Sequence, residues 1–538
     1  MNKLKLYILS LGCVFLVSCT DSFLDVESKT ELMDQNFYKT PADAEMALIG
    51  CYDGFQRTAS QQSFYIASEV LSDNCFGATG NTDSRSYQAL DRFDITQSPS
   101  DNNVFDEAWT NYYAAIFRCN TLIIKLDGIE FPAGSTTRER IEGETRFLRA
   151  ILYFDLVRLF EKIPLLTVPT ADNIPQVEPV EVYNQIVEDF KYSIHNIPAD
   201  AYPKAKASEN DGRVTPYAAK AMLARAYLFY TGCYAKDDLG ISKIEVLSGL
   251  EDIINSGEFG LVEEFKSLWP AASYVPIEAD NKLDKSAYAG MGNKETVFAQ
   301  KFNNTSNYDG MADANYWLVM MGMRQTNWSP YGKGWGACTV NPKLVNAYDI
   351  NDKRKVASII DIEGEGIKSS FNLKDQREFT GYTNKKYTPI VLPDNSTSDT
   401  GGANDFHNSQ EQDFIVVRYA DVLLMAAELE SSNAQQYYDD VRTRAGLTPR
   451  TVSKENIMNE RRFEFAFEAI RYWDLLRQGI DVAASTIAQR QKVLSGNVED
   501  EVVIYAENIK KTRGFMMIPN SQITRSNGVL KQNPGWSN

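Results

Sequence analysis

EGETRFLRAILYFDLVRLFE, Glu142 to Glu161, is apolar nearly all the way round when wound at about 100° per residue. Arg146 and Arg149 leave one side of such a helix, and Asp155 and Arg158 leave the opposite side. A helix with so little polar surface has to be covered by neighbours on both flanks.

The neighbouring text supplies the cover. TPADAEMALIGCYDGF places Thr40 at an N-cap and Pro41 at the first helical position, followed by an apolar stripe of Ala44, Ala47, Leu48, Cys51 and Phe55. TPYAAKAMLARAYLFYTG repeats the device with Thr215 and Pro216, and Gly232 is read as its C-terminal stop. Its Ala218, Ala219, Ala221, Ala224 and Ala226 let a neighbouring helix come close. Further helices are predicted in VEVYNQIVEDFKYSIHNI, SKIEVLSGLEDIINSG, FIVVRYADVLLMAAELE and SKENIMNERRFEFAFEAIRYWDLLRQG. Stacked helix pairs of this kind suggest a mainly α, tetratricopeptide-like scaffold, although no 34-residue consensus repeats along the chain.

The middle of the chain has another texture. From about Trp269 to Val340 it is rich in Gly, Asn, Tyr, Trp and Met without a sustained helical period, and LPDNSTSDTGGANDFHNSQEQD is a polar loop. A large, irregular, loop-rich insert over about 265–410 is therefore predicted, and ordered loops of that length tend to carry function.

The N-terminus reads as an address. Lys3 and Lys5 precede an apolar run from Leu6 to Val17, too short to span a bilayer, which needs about 20 apolar residues. The run ends at Leu16-Val17-Ser18-Cys19, a lipobox, so residues 1–18 are read as a lipoprotein signal peptide and Cys19 as the lipid-bearing first residue of a single domain over 19–538. Two acyl chains give stable anchoring where one is marginal. The net charge of −17 becomes more acidic once Lys3 and Lys5 leave, which argues against nucleic acid as a partner. Cys51, Cys75, Cys119, Cys233 and Cys338 remain at wide spacing with no CxxC, so neither a zinc site nor a redox motif is supported, and an odd count leaves at least one thiol free.

Catalytic chemistry finds little material. The only two histidines, His195 and His407, are far apart, and there is no G-x-S-x-G and no P-loop. No metal site and no cofactor is expected. Glu464 and Glu468 make the best-placed carboxylate pair, one predicted helical turn apart. Arg461 and Arg471 share their face, which favours a structural ion-pair ladder over a glycosidase.

Aromatic residues are the stronger signal. Trp317, Trp328, Tyr331 and Trp335, with Tyr308 and Tyr316 before them, fall in loop-like text. Rings stack on the apolar faces of sugars, while Asn, Asp and Arg bond the hydroxyls.

Taken together the lipobox with CTDSFLDVE, EVLSDNCFG, FRCNTLI, ETRFLRAILYFDLVRLFEKIPLL, RVTPYAAKAMLARAYLFYTG, VVRYADVLLMAAELE, NERRFEFAFEAIRYWDLLRQG and the tail MIPNSQITRSNGVLKQNPGW resemble the SusD/RagB family of outer-membrane nutrient-binding lipoproteins of Gram-negative Bacteroidota. The resemblance covers essentially the whole chain. It implies a tetratricopeptide-like scaffold under a loop-rich binding face, and a non-enzymatic lid that hands oligosaccharide, or peptide in the RagB branch, to a SusC-like TonB-dependent transporter. It also implies a protein on the cell exterior, tethered to the outer membrane through Cys19, with Asp21, Asp25 and Glu27 as the export signal. GKGWGACTVNPKLVNAYD resembles a family pattern, which assigns Trp335 to architecture; the ligand contacts are placed instead at Arg85 and Tyr87 and at Trp317, Trp328 and Tyr331.

Overall fold

The structure, a computed structural model, describes residues 37–59, 64–94, 96, 105–198, 212–303, 314–396, 406–407 and 410–536. The signal peptide, Cys19, Asp21, Asp25, Glu27 and Tyr308 lie outside the described residues. No helix among the described residues is long and apolar enough to cross a membrane.

The scaffold is a succession of helices, α1 (Pro41–Gln56), α2 (Asp106–Lys125), α3 (Thr137–Phe160), α4 (Pro179–Asn196), α5 (Pro216–Cys233), α6 (Lys243–Asn255), α7 (Tyr419–Glu428), α8 (Ala434–Arg444) and α9 (Lys454–Glu464). Each from α1 to α7 packs on the one that follows it, which is the nearest-neighbour arrangement of a helical-pair array. The predicted start of α1 is a full capping box: Thr40 Oγ1 accepts from the Asp43 amide at 3.2 Å, and the Asp43 carboxylate accepts from the Thr40 amide at 2.9 Å. Thr215 caps α5 in the same way. Gly232 is not a stop, because α5 continues to Cys233; a Cβ on Gly232 would lie 2.3 Å from the Arg477 carbonyl oxygen, so glycine is required there by close packing.

Helix α3 is covered on both flanks, as its composition requires, and its charges are the ties to its neighbours. Arg149 bonds Asp189 of α4 at 2.7 and 2.8 Å and the Asn120 side chain of α2 at 2.8 Å. Asp155 accepts from the Tyr112 hydroxyl of α2 at 2.7 Å and pairs with Arg158 at 2.6 Å. Arg149 and Asp155 are thus satisfied across helix interfaces, and Arg158 by Asp155 on its own helix.

Among the described residues, six two-stranded sheets complete the fold. The antiparallel pair β1 (Thr296–Gln300) and β2 (Phe414–Arg418), with Gln300 opposite Phe414, brings both ends of the loop-rich excursion to one place beside α5 and α7. The hairpin of β3 (Gln489–Ser495) and β4 (Val498–Ile504) stands near the C-terminus. One continuous core of buried side chains runs from Ala44 to Trp536, and a smaller one, including Met323, Tyr331, Ile360, Phe371 and Ile390, lies within the excursion.

Arg418, at the end of β2, sits at the centre of a buried ion cluster. Its guanidinium bonds Glu464 at 3.0 Å, Glu468 at 2.7 and 3.0 Å, and Glu295. Arg354 reaches Glu464 at 3.1 Å, Arg444 reaches Glu295 at 3.0 Å, and the Lys386 ammonium bonds Glu468 at 2.6 Å. The ion-pair reading of Glu464 and Glu468 survives, but with other partners and on another backbone. Helix α9 ends at Glu464, Phe467 and Ala469 have φ of +65° and +58°, and the two acids are therefore not a turn apart on one helix. Arg461 pairs with Asp421 and Asp474, and Arg471 with Asp73.

Burial alone would raise the Glu464 carboxyl, but Arg444, Arg418 and Arg354 hold it down at about 2, below the 4.5 of an unperturbed glutamate. A depressed carboxyl contributes its stability above its unfolded value and loses it as pH falls toward the folded value. Urea denaturation is therefore expected to show stability falling from pH 4.5 toward pH 2. Arg418→Met, which takes one partner from each of three buried carboxylates, is expected to cost about 3–5 kcal/mol at neutral pH; a change under 1 kcal/mol would contradict a central role for this cluster.

Candidate functional site

Two loops meet around Arg324. The first runs from Gly77 to the short helix Ser86–Asp91, which carries Tyr87, and Arg85 precedes it. Arg377 grips this loop by its carbonyls, donating to Asn81 O at 2.6 Å, Asp83 O at 2.7 Å and Ser84 O at 3.1 Å, and to Gln88 Oε1 at 3.2 Å. Gly77 lies flat against Tyr87, where a Cβ would be 2.1 Å from the tyrosine carbonyl oxygen. Burial, and then the neighbouring Arg85 charge, lower the pKa of the Arg377 guanidinium.

The second loop is the strand segment Lys333–Gly334, which pairs in parallel with Met323–Arg324. Lys333 and Trp335 alternate with Gly334, whose missing Cβ would lie 2.4 Å from Val319 O. The Trp335 amide donates to that same carbonyl at 2.7 Å, which pins the residue to the short helix Tyr316–Met321. Arg324 joins the loops: it pairs with Asp83 at 3.1 Å and Asp375 at 3.0 Å and donates to Trp335 O at 3.4 Å.

The half-buried Trp335 ring packs at 5.1 Å against the ring of His407, which in turn lies 3.7 Å from Phe406. The Lys333 ammonium stands 4.7 Å over the Phe406 ring. Arg85 is exposed and Tyr87 half-buried, so this face offers partly uncovered aromatic rings beside cationic donors. A cleft of about 680 Å³ is lined by Leu373, Phe379, Val493, Leu494, Lys492 and Glu499, and Asn81 of the first loop donates to the Lys374 carbonyl next to it. Gln376, beside Arg377, accepts from the Gly496 amide at 3.0 Å and so closes the gap between loop and cleft.

The predicted contacts divide into three places. Arg85 and Tyr87 belong to this face. Trp317 does not: it is 1% exposed, surrounded by Tyr65, Tyr387 and Phe414, and presents no ring face for stacking. Tyr331 is likewise corrected, being 7% exposed with its hydroxyl donating to Glu365 at 2.6 Å. Trp328 shares a tight turn with Tyr331 and packs half-buried on the smaller core. Trp335, assigned to architecture by its family pattern, keeps its ring partly uncovered. Lys333, Phe406 and His407 were missed in the sequence; His407 sits in a polar stretch where no periodicity marks a position.

Residues 372–536 match the model of the SusD family, and residues 22–228 match a family described as starch-binding, associating with outer membrane. The chain is a SusD-like family protein. SusD-like protein P2 of Formosa agariphila is 24% identical over 574 aligned residues, covering all of both chains. Surface glycan-binding protein A from Bacteroides fluxus superposes with a TM-score of 0.75 at 23% identity, over 93% of this chain and 100% of its own. Surface glycan-binding protein A from Bacteroides thetaiotaomicron in complex with laminarihexaose gives 0.73 at 21% identity, over 92% and 100%. At such identities the likeness shows the SusD-like fold, mainly helical with small sheets.

A carboxyl pair lies under the first loop. Asp91 accepts from the Gly77 amide at 2.7 Å, and Glu378, bonded by Arg92, is its neighbour. Burial pushes Glu378 up to about 7, against the attraction of Arg92. A raised carboxyl binds its proton better in the folded state, so this SusD-like protein is expected to lose stability as pH rises from 4.5 to 7. Glu378→Gln should flatten thermal midpoints across that window. Separately, Trp317→Ala is expected to cost about 3–5 kcal/mol and Trp335→Ala no more than about 1 kcal/mol. Equal losses by chemical denaturation would contradict the burial difference between the two rings.

Proposed function

We propose that the protein is a lipid-anchored lid of the outer membrane that binds a glycan on the face formed by Arg85, Tyr87, Lys333 and Trp335. In this reading residues 1–18 are cleaved, Cys19 carries the lipid, and the single domain faces the cell exterior. The bound oligosaccharide passes to a SusC-like TonB-dependent transporter, without bond cleavage by this chain.

The observation that carries the reading is Trp335: a half-buried indole set at the rim of a rigid frame, with the Lys333 cation on the same strand segment. An aromatic face of this kind complements the C–H face of a pyranose ring, and neighbouring donors complement its hydroxyls. Because Arg324 and Arg377 hold both loops before any ligand arrives, little ordering cost falls on binding. The cleft next to the first loop gives a polymer room to continue beyond one or two rings. Support also comes from family members named for glycan binding, one in complex with laminarihexaose, and from the outer-membrane association in the matched family description.

Affinity of the purified domain on a combined glycan and peptide array tests the proposal. Binding to at least one β- or α-glucan or related polysaccharide is expected, and Trp335→Ala and Tyr87→Ala should each weaken it about tenfold or more with the thermal midpoint nearly unchanged. Response to peptides alone would replace the glycan with a peptide ligand, and glycan binding retained in both variants would move the site off this face.

A further inference from the structure

Five cysteines lie among the described residues, all thiols in the structure, and four of them occur as two buried pairs. Helices α1 and α2 approach so closely that a Cβ on Gly54 would meet the Ala115 Cβ at 3.0 Å. They run antiparallel, since Arg118 Nη1 donates to Gly50 O at 2.7 Å further along the same seam. Cys51 precedes Gly54 by three residues and Cys119 follows Ala115 by four, so the two occupy facing positions one turn along, both wholly buried.

The second pair lies in the small antiparallel ladder where Cys75 is opposite Val340 and Phe76 opposite Thr339. Cys338 stands one residue before this ladder, and its thiol is in hydrogen-bonding contact with the Cys75 thiol. Both are within 1% of complete burial. Cys233, on α5, is the odd one.

We propose that the exported chain carries two disulfide bonds, Cys51–Cys119 and Cys75–Cys338, and keeps Cys233 as its free thiol. The proposal rests on the export reading above, because such bonds persist in an oxidising compartment. In each pair two S–H bonds break and one S–S bond forms. Two protons and two electrons leave, reducing a protein disulfide of the export compartment to its dithiol.

Hydrogen bonding to the Cys119 thiol, and then burial, push the Cys51 thiol well up; burial, and then Cys338, do so for Cys75. Thiols kept protonated and out of reach are poor nucleophiles, so both bonds form while the chain is still folding. The first staples α1 to α2. The second joins the two arms of the candidate face, since Cys75 lies two residues before Gly77, which backs Tyr87, and Cys338 three residues after Trp335.

The test is a thiol map of the full chain isolated from outer membranes, denatured without reductant, alkylated and digested. Alkylation at Cys233 alone among the five is expected, with one peptide linking Cys51 to Cys119 and another linking Cys75 to Cys338; Cys233→Ala should leave both links in place. A chain acylated at Cys19 yet alkylated at all five positions overturns the proposal while leaving export intact. If the chain is not exported, oxidative refolding of the reduced, denatured protein in a glutathione buffer decides the geometry. The same two links support it, and other pairings or five free thiols overturn it.

Discussion

The Arg418 cluster is the constraint on which the rest of the architecture depends. Burying an arginine among three glutamates costs several kcal/mol per ion unless every hydrogen-bonding position is filled. Here they are filled by residues from distant parts of the chain: Glu295 before β1, Arg354 and Lys386 from the excursion, Arg444 from α8, and Glu464 and Glu468 from the end of α9. Local pairs such as Arg354 with Asp352 form within one half, but Arg418 and Lys386 complete the cluster only when the helical array and the excursion are both in place. The cluster therefore couples the two halves more tightly than apolar packing, which tolerates small slips, would do.

The same economy recurs at the candidate face on a smaller scale. Arg377 and Arg324 are spent on carbonyls and on Asp83 and Asp375 instead of being offered to a ligand. Their work is to hold the loop before Tyr87 and to tie it, through Asp83, to the Trp335 carbonyl. What remains available for recognition is aromatic surface with the Arg85 and Lys333 cations at its margin, chemistry suited to a ligand with apolar faces and a hydroxylated rim. The acid pair of Asp91 and Glu378 underneath completes a base whose protonation changes near neutrality.

How much of this was legible in the sequence depends on whether a residue sat in periodic text. The Thr40-Pro41 and Thr215-Pro216 starts and the doubly covered α3 are local signals, and the structure realises them. Within the insert no period exists, so nothing local distinguishes Trp317, sealed between Tyr65 and Phe414, from Trp335, left half outside. That difference is decided by long-range packing. The shared helix predicted for Glu464 and Glu468 is absent for a related reason: at Phe467 and Ala469 the backbone turns left-handed and lets the acids converge on Arg418. Gly232 reads locally as punctuation, whereas its role is to admit the Arg477 carbonyl.

The pairing of Gln300 with Phe414 has an evolutionary consequence. The excursion leaves and rejoins the scaffold through adjacent strands, so segments of it remote from the ion cluster can lengthen, shorten or be rewritten without altering the spacing of the helices beneath. Lineages sharing such a frame are free to diversify what they take up while conserving how they fold. Low overall identity between relatives of nearly equal length is the pattern that this division of labour leaves behind.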